Sequence, residues 1–502
     1  MKNVALHNLG CKVNSYEIDV VQQKLQEKGY KIVPFDGKAD IYIVNTCSVT
    51  NIADRKSRQM LHRAKKQNPE AIVVAMGCYV QAGEEKALED ECIDLAVGNN
   101  RKKDIVDIIE TFMERKQQRK LVDLNETSIE TLIETPINVS INSTSDALEN
   151  ADNKEEVLKE AEANFEKEEI AKANLYKEKT LDYTTIIDIN HTDEYEEMQL
   201  TKTAEHTRAY IKIQDGCNQF CTYCIIPYAR GRVRSRKVKD ILTEVTSLRD
   251  SGYKEIVLTG IHISSYGIDV DKQSHLLDLI QEIHNIEGIE RIRLGSLEPR
   301  IVTEEFAKAL ASLHKICPHF HLSLQSGCDK TLKAMNRRYD TKEFYEKVCI
   351  LRKYFEQPAI TTDVIVGFPQ ETEEDFTVTK EFLEKVSFFE MHIFPYSKRA
   401  GTRAAAMDGQ LTEAVKKERS QVLLQLEKKQ SEEYRRSFLG KEVEVLFEEE
   451  KEMEGEIYFV GHTKEYIKVG MKTNKNLANV IVKGLTTKLM GDMLMLEDSQ
   501  CI

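Results

Sequence analysis

Four short apolar runs near the N-terminus, Val4–Leu9, Asp40–Thr46, Ala71–Met76 and Asp94–Val97, predict strands of a buried parallel sheet. Between them lie helical periods such as Asn14–Lys28, with Asn14 expected as the N-cap and Gly29 as the stop. Strands alternating with helices over residues 1–118 predict a doubly wound α/β domain. From 119 to 203 the period fades. Asn142–Asn153 is polar and aperiodic, and Lys154–Lys179, rich in Glu, Lys and Ala, reads as a solvated helix. An acidic, disordered insertion or linker is expected there. Six further strands, Ala209–Ile213, Glu255–Thr259, Arg291–Leu294, His319–Leu324, Thr361–Val366 and Met391–Phe394, alternate with helices over 204–434. Six β/α units make an open, partial barrel with its site at the C-terminal strand ends. The period then shortens. Glu442–Phe447, Glu456–Val460, Tyr466–Val469 and Asn479–Val482 predict a small five-stranded β-barrel over 437–502.

A chain of 502 residues accommodates about three domains at ~150 residues each, in keeping with this pattern. No apolar run is long enough to span a membrane, and the first residues show no secretion signal. Eleven cysteines are too sparse for a disulfide scaffold. Clustered cysteines without an export signal suggest metal ligands in a reducing cytoplasm. The net charge of −13 is unevenly spread. Leu121–Leu200 holds 21 acidic and six basic residues, a net −15, so the remainder carries +2. The acidity therefore does not exclude a nucleic-acid partner. Lys441–Gln500 holds eight basic and 12 acidic residues, so its barrel pattern suggests RNA while its charge abstains.

Cys217-Asn-Gln-Phe-Cys221-Thr-Tyr-Cys224 follows the first central strand, where the barrel rule places chemistry. Structural zinc takes four protein ligands, whereas three cysteines suit a 4Fe–4S cluster with one iron open to an exogenous ligand. A zinc or disulfide loop is the alternative. Cys11, Cys47 and Cys78 each end an N-terminal strand, where an open parallel sheet gathers its ligands. They can converge on a second cluster, with Gly10 and Gly77 allowing close backbone approach; three buried structural thiols are the alternative. Cys92, Cys317, Cys328, Cys349 and Cys501 show no such pattern, although Cys328 lies near a strand end.

Two cysteine triads, one on an α/β domain and one on a six-strand β/α region followed by a small barrel, resemble the radical S-adenosylmethionine (SAM) methylthiotransferase family. Leu9–Glu17, Val44–Thr50 and His392–Ser397 are most similar to its MtaB type. Lys12-Val13 stands where the isopentenyladenosine-acting relatives usually have Gln-Met. The resemblance covers all but about 119–203. It implies methylthiolation of C2 of N6-threonylcarbamoyladenosine at position 37 of tRNA, with isopentenyladenosine-37 or a ribosomal protein side chain as alternatives. It further implies two 4Fe–4S clusters, two SAM per turnover and a TRAM-like terminal barrel. SAM cleaved at the Cys217–Cys224 cluster would yield the radical that removes the C2 hydrogen, while the Cys11–Cys47–Cys78 cluster carries the sulfur. An electron donor of flavodoxin or ferredoxin type, a sulfur source of unknown identity, a monomer and a cytoplasmic location complete the expectation.

Strand ends at Gly260, Ser296, Glu298, Gln325 and Asp363 are candidate SAM contacts, with turn or capping chemistry as the alternative. Arg230, Arg232, Arg234, Arg236, Lys237 and Lys239 crowd ten positions. The alternation of the four arginines predicts one cationic face for RNA phosphate or the SAM carboxylate, against an ordinary solvated charge run.

Overall fold

The computed structural model describes residues 2–118, 184–202, 207–270, 275–453 and 455–497. The first unit is an all-parallel sheet of β1 (Asn3–Asn8), β2 (Lys31–Val33), β3 (Ile41–Thr46), β4 (Ile72–Gly77), β5 (Leu95–Val97) and β6 (Thr184–Thr185). The strand order is β2-β1-β3-β4-β5-β6. Every residue of β3 and β4 is buried, because successive side chains serve opposite faces. Ile41, Ile43, Val74 and Met76 pack beneath α1 (Lys12–Glu27). Tyr42, Val44, Val73 and Ala75 pack beneath α2 (Asn51–Gln67). The expected doubly wound domain is present. Its strand order reverses between β1 and β3, and the crevice at their carboxyl ends is the usual ligand position.

Two expectations are corrected here. Cys11, not Asn14, is the N-cap of α1; Asn14 turns inward and donates to Leu9 O (2.8 Å) and Thr46 O (3.0 Å). Residues 184–202, assigned to the acidic linker, instead complete the first domain. β6 pairs with β5, and Ile189, Met198 and Leu200 are buried. The two-residue strand is too short to announce itself by period. Asn142–Asn153 and Lys154–Lys179 lie outside the described residues.

The central unit contains all six expected strands: β7 (Arg208–Asp215), with an antiparallel β8 (Arg234–Ser235) added at its edge, then β9 (Glu255–Gly260), β10 (Arg291–Leu294), β11 (His319–His321), β12 (Ala359–Val366) and β13 (Glu390–Pro395). Bridges Ile292–Ile316 and Leu297–Leu322 join β10 to β11, so one open arc runs β7-β9-β10-β11-β12-β13. Alternate residues such as Ile211, Leu258, Ile292, Phe320 and Val364 face the outer helices. The other set, including Tyr210, Lys212, Arg293, His319, His321, Asp363 and His392, faces the lumen, by the period-two rule. α1 of the first domain lies against β7 and β9, with Tyr210 packed into that domain's core.

Helix Glu413–Arg436 packs along β13 and leads into a closed barrel of β14 (Glu442–Met453), β15 (Glu456–Thr463), β16 (Lys468–Lys472), β17 (Ile481–Met490) and β18 (Met493–Leu496). This five-stranded barrel docks on the N-terminal strand ends of the arc. Arg208 pairs with Glu448 (3.3 Å), Arg291 with Glu444 (3.2 Å), and Arg293 donates to Lys464 O (2.9 Å). The Tyr466 ring enters the same end, 5.0 Å from His319, with Arg208 and Arg293 over it. The arc is thus closed at the end opposite the cysteine loop.

Candidate functional site

The Cys217–Cys224 loop leaves β7 through Gly216, whose φ of +70° and close approach admit no side chain: an added Cβ would lie 1.8 Å from Arg232 O. Cys217 N donates to Gly231 O (3.0 Å), Cys224 N to Cys221 O (3.0 Å), and Thr222 N to Met335 O (3.1 Å). These bonds hold three half-buried thiols toward one cavity of about 460 Å³. Arg337 Nη1 reaches Cys221 Sγ at 3.3 Å. Burial and then the neighbouring thiols push Cys224 up to about 12, while burial lifts Cys217 to about 11. Three thiolates would thus repel one another in this setting, and a metal centre removes that penalty.

Cys11 enters the same cavity from the other domain. It caps α1, Cys47 follows β3 directly, and Cys78 opens the short α3 (Cys78–Ala82) after β4. The registers Asn8–Asn45 and Thr46–Gly77 align those strand ends. The three thiols lie within electrostatic range of one another. Burial and then Cys78 push Cys47 up to about 12, and burial raises Cys11 as well. Arg230 Nε lies 3.3 Å and Asn99 Nδ2 3.6 Å from Cys78 Sγ. Gly77 has φ +101°, and an added Cβ would lie 2.7 Å from Asn45 Oδ1. The donor chemistry of both triads fits an iron–sulfur group.

The predicted cationic face is overturned. Arg230 and Arg234 are 0% exposed and Arg236 1%, so none presents a guanidinium to solvent. Arg230 binds Glu17 (2.8 Å) and Asp215 (3.2 Å), and Lys212 binds the same two carboxylates at 3.0 and 2.8 Å. Lys102 joins Glu17, and Arg234 lies 3.9 Å from Asp215. Four cations around two carboxylates leave positive charge beside Cys78. The cations hold Glu17 and Asp215 well below the usual carboxylate range despite burial. Arg236 pairs with Glu244 and Glu197, and Arg232 lies over the Phe220 ring at 4.5 Å. Glu17 and Glu197 come from distant segments, so the local charge run gave no hint of them.

Ser296, Glu298, Gln325 and Asp363 all line the cavity, whereas Gly260 only ends β9 behind it. Arg337, Tyr223 and His262, which sequence reasoning missed, line it too. His262 donates from its backbone to Gln214 (2.7 Å), and its ring meets Ser265 Oγ (2.7 Å). Burial lowers its pKa to about 4. Deeper in the lumen, His321 Nδ1 meets Thr361 Oγ1 (3.0 Å), its Nε2 lies 3.3 Å from Asp363, and its ring stacks with His392 at 5.9 Å. Lys12, one residue after Cys11, has an exposed side chain. Burial first, and the neighbouring cations after it, lower His319 and His392. Cys92, Cys317, Cys328 and Cys349 are not among the cavity residues.

A three-cysteine loop above the first strand of a partial β/α barrel defines a radical SAM enzyme, and the Radical SAM superfamily model matches residues 211–383. The model of Uncharacterized protein family UPF0004 matches residues 3–98. The chain is 37% identical to the threonylcarbamoyladenosine tRNA methylthiotransferase MtaB of Bacillus subtilis, over 96% of this chain and 93% of that one. It is also 37% identical to the MtaB of Aquifex aeolicus, over 93% and 98%. The tRNA-2-methylthio-N(6)-dimethylallyladenosine synthase of Acetivibrio thermocellus is 33% identical, over 96% and 88%. The chain belongs to the radical SAM methylthiotransferases. Among solved structures, the radical SAM methyltransferase TsrM of Kitasatospora setae has a TM-score of 0.49 at 14% identity, over 78% of this chain and 72% of that one.

Proposed function

We propose that this enzyme methylthiolates C2 of N6-threonylcarbamoyladenosine at position 37 of tRNA. Cys217, Cys221 and Cys224 hold one 4Fe–4S cluster, Cys11, Cys47 and Cys78 a second, and two SAM are consumed per turnover. When bound, these clusters supply one-electron reduction of SAM and a docking point for the inserted sulfur. Ser296, Glu298, Gln325 and Asp363 orient SAM from the cavity wall, with Gly260 shaping the turn behind it. Arg337 and Arg230 donate toward Cys221 and Cys78, and their charge offsets that of the thiolates. The apolar wall of Val49, Ile226, Leu297, Ile365 and Phe394 keeps water from the reacting base.

The polar lumen carries the choice of substrate. His321 and His392 suit a polar, hydrogen-bonding substituent, whereas a dimethylallyl group offers them no polar atom. The relatives named for threonylcarbamoyladenosine agree. Phosphate contacts that the buried arginines cannot make fall to α2, which begins at the cavity mouth and exposes Arg55, Lys56 and Arg58. A cytoplasmic monomer served by a flavodoxin- or ferredoxin-like donor completes the reading; no described helix is long and apolar enough to cross a membrane.

Anaerobic reconstitution tests the division of labour. About eight irons per chain are expected, with reductive SAM cleavage. Cys78→Ala should keep about four irons and SAM cleavage while losing sulfur insertion. Loss of SAM cleavage in that variant, or zinc in place of iron, would sink the assignment.

A further inference from the structure

Two of the three N-terminal cysteines are tied to the central unit through one guanidinium. Arg230 reaches Cys78 Sγ (3.3 Å) and, through Asn14 (2.9 Å), the helix start that carries Cys11. Cys47 is reached by a separate route. Ser397–Arg399, just after β13, lies across the start of α2. Arg399 Nη2 donates to Ser48 Oγ (2.6 Å), one residue after Cys47, and Nη1 donates to Asn51 Oδ1 (2.9 Å) and Asp54 Oδ2 (2.6 Å). Asn51 in turn donates its backbone N–H to Ser397 Oγ (3.0 Å) and its side-chain amide to Lys398 O (2.8 Å). The first turn of α2 thus takes an acceptor from the other domain.

The same segment is anchored on the other cysteine set. Thr402 Oγ1 donates to Arg399 O (2.7 Å), and Ala404 N donates to Thr222 O (2.8 Å), between Cys221 and Cys224. Residues 399–404 therefore form a strap from Ser48 to Thr222, with Arg399, Thr402 and Ala404 all buried. Val49, Thr50, Cys221 and Ser397 line the cavity that the strap borders. A buried ion pair adds little net stability against its desolvation cost, so the value of this one is geometric.

We propose that Arg399 is a positioning residue for sulfur insertion, setting through this strap the distance between Cys47 and the Cys217–Cys224 loop. This rests on the two-cluster reading above. Hydrogen removal and sulfur delivery must meet at one carbon, and a misplacement of about 1 Å costs a reaction about 100-fold. Arg399 acts through Ser48 and Thr222 rather than on a thiol. Its loss should therefore uncouple the two halves of the chemistry and stop neither cluster from assembling. Asp54 keeps 22% of its side chain exposed, so solvent can take over its carboxylate when the guanidinium is removed.

The test uses the full chain with its clusters reconstituted and an anticodon stem-loop RNA bearing N6-threonylcarbamoyladenosine. Three quantities are measured: iron per chain, methylthiolated RNA formed per 5′-deoxyadenosine released, and the magnetic coupling between the two reduced clusters by pulsed electron paramagnetic resonance. Arg399→Gln should keep about eight irons and its SAM cleavage. Its product per deoxyadenosine should fall about 10- to 100-fold, and the coupling should weaken or spread. Asn51→Ala, which opens the same bridge from the other domain, should shift both readings in the same direction. Arg399→Lys keeps the charge for Asp54 without the fork, and should fall between Arg399→Gln and the unaltered enzyme. An Arg399→Gln protein with unchanged product ratio and coupling would overturn the assignment. So would one that drops to about four irons, because Arg399 would then serve the triad itself. Failure of both Arg399→Gln and Asn51→Ala to fold would reduce the strap to a folding element and overturn it too. An unaltered enzyme that carries a single cluster overturns the two-cluster reading, and Arg399 with it; two clusters with an unaffected Arg399→Gln overturn Arg399 alone.

Discussion

Arg230 touches Cys78 of one triad and Asp215 at the root of the loop bearing the other, so a single buried guanidinium couples the two cysteine sets. Its reach depends on Glu17 and Asn14 of α1, which supply acceptors at 2.8 and 2.9 Å. His262 shows what enclosure does to the cavity's titratable groups. Burial, aided by Arg337, lowers it from an ordinary 6.5 to about 4, so the folded protein keeps it neutral where an unfolded chain would protonate it. The unfolded state binds more protons between those values. Stability is therefore full above pH 6.5 and falls as pH drops toward 4, by about 3 kcal/mol at the lower end. Thermal unfolding against pH should show this slope, and His262→Gln should flatten it between 6.5 and 4; an unchanged slope would assign the loss elsewhere. The six triad cysteines were legible because spacing and strand-end placement are local signals. Arg337 was not, since 116 residues separate it from the thiol it touches. The Arg230–Arg236 series misled for the same reason: its partners Glu17 and Glu197 lie in other segments.

Among the elements, the long buried strands were readable, and of the short ones β5, β10 and β11 were too, but β2 and β6 were not. Hydrophobic runs announced β3, β4, β7, β9 and β12 nearly to their ends, while the three residues of β2 and two of β6 carry no period. Asn14 looked like a cap because caps favour its side chain, yet it serves better inside, closing the β1 and β3 ends around Cys11. Gly77 was expected to permit close approach, and the β4–α3 junction requires it. A Cβ there would enter Asn45 and force a non-glycine residue to positive φ, a cost of about 1–2 kcal/mol before any clash. Gly77→Ala should accordingly fall to about four irons per chain while SAM cleavage continues. Full iron content would show that the turn has more slack than its contacts imply.

At the scale of the molecule, the two halves of the chemistry stand on separate sheets facing one cavity, with α1 wedged between them. The C-terminal barrel seals the far end of the arc through Tyr466, so the lumen opens toward the cysteines. Alternating strands and helices made the three units legible, but not their docking, which rests on buried ion pairs between segments hundreds of residues apart. That docking brings Cys11 and the Cys217–Cys224 loop to one cavity, on which the proposed activity rests. Mass analysis of tRNA nucleosides from cells lacking this protein tests it most directly. The 2-methylthio form of N6-threonylcarbamoyladenosine should vanish, its unmodified precursor should accumulate, and the methylthio dimethylallyl nucleoside should be unchanged. Persistence of 2-methylthio-N6-threonylcarbamoyladenosine in those cells would contradict the account.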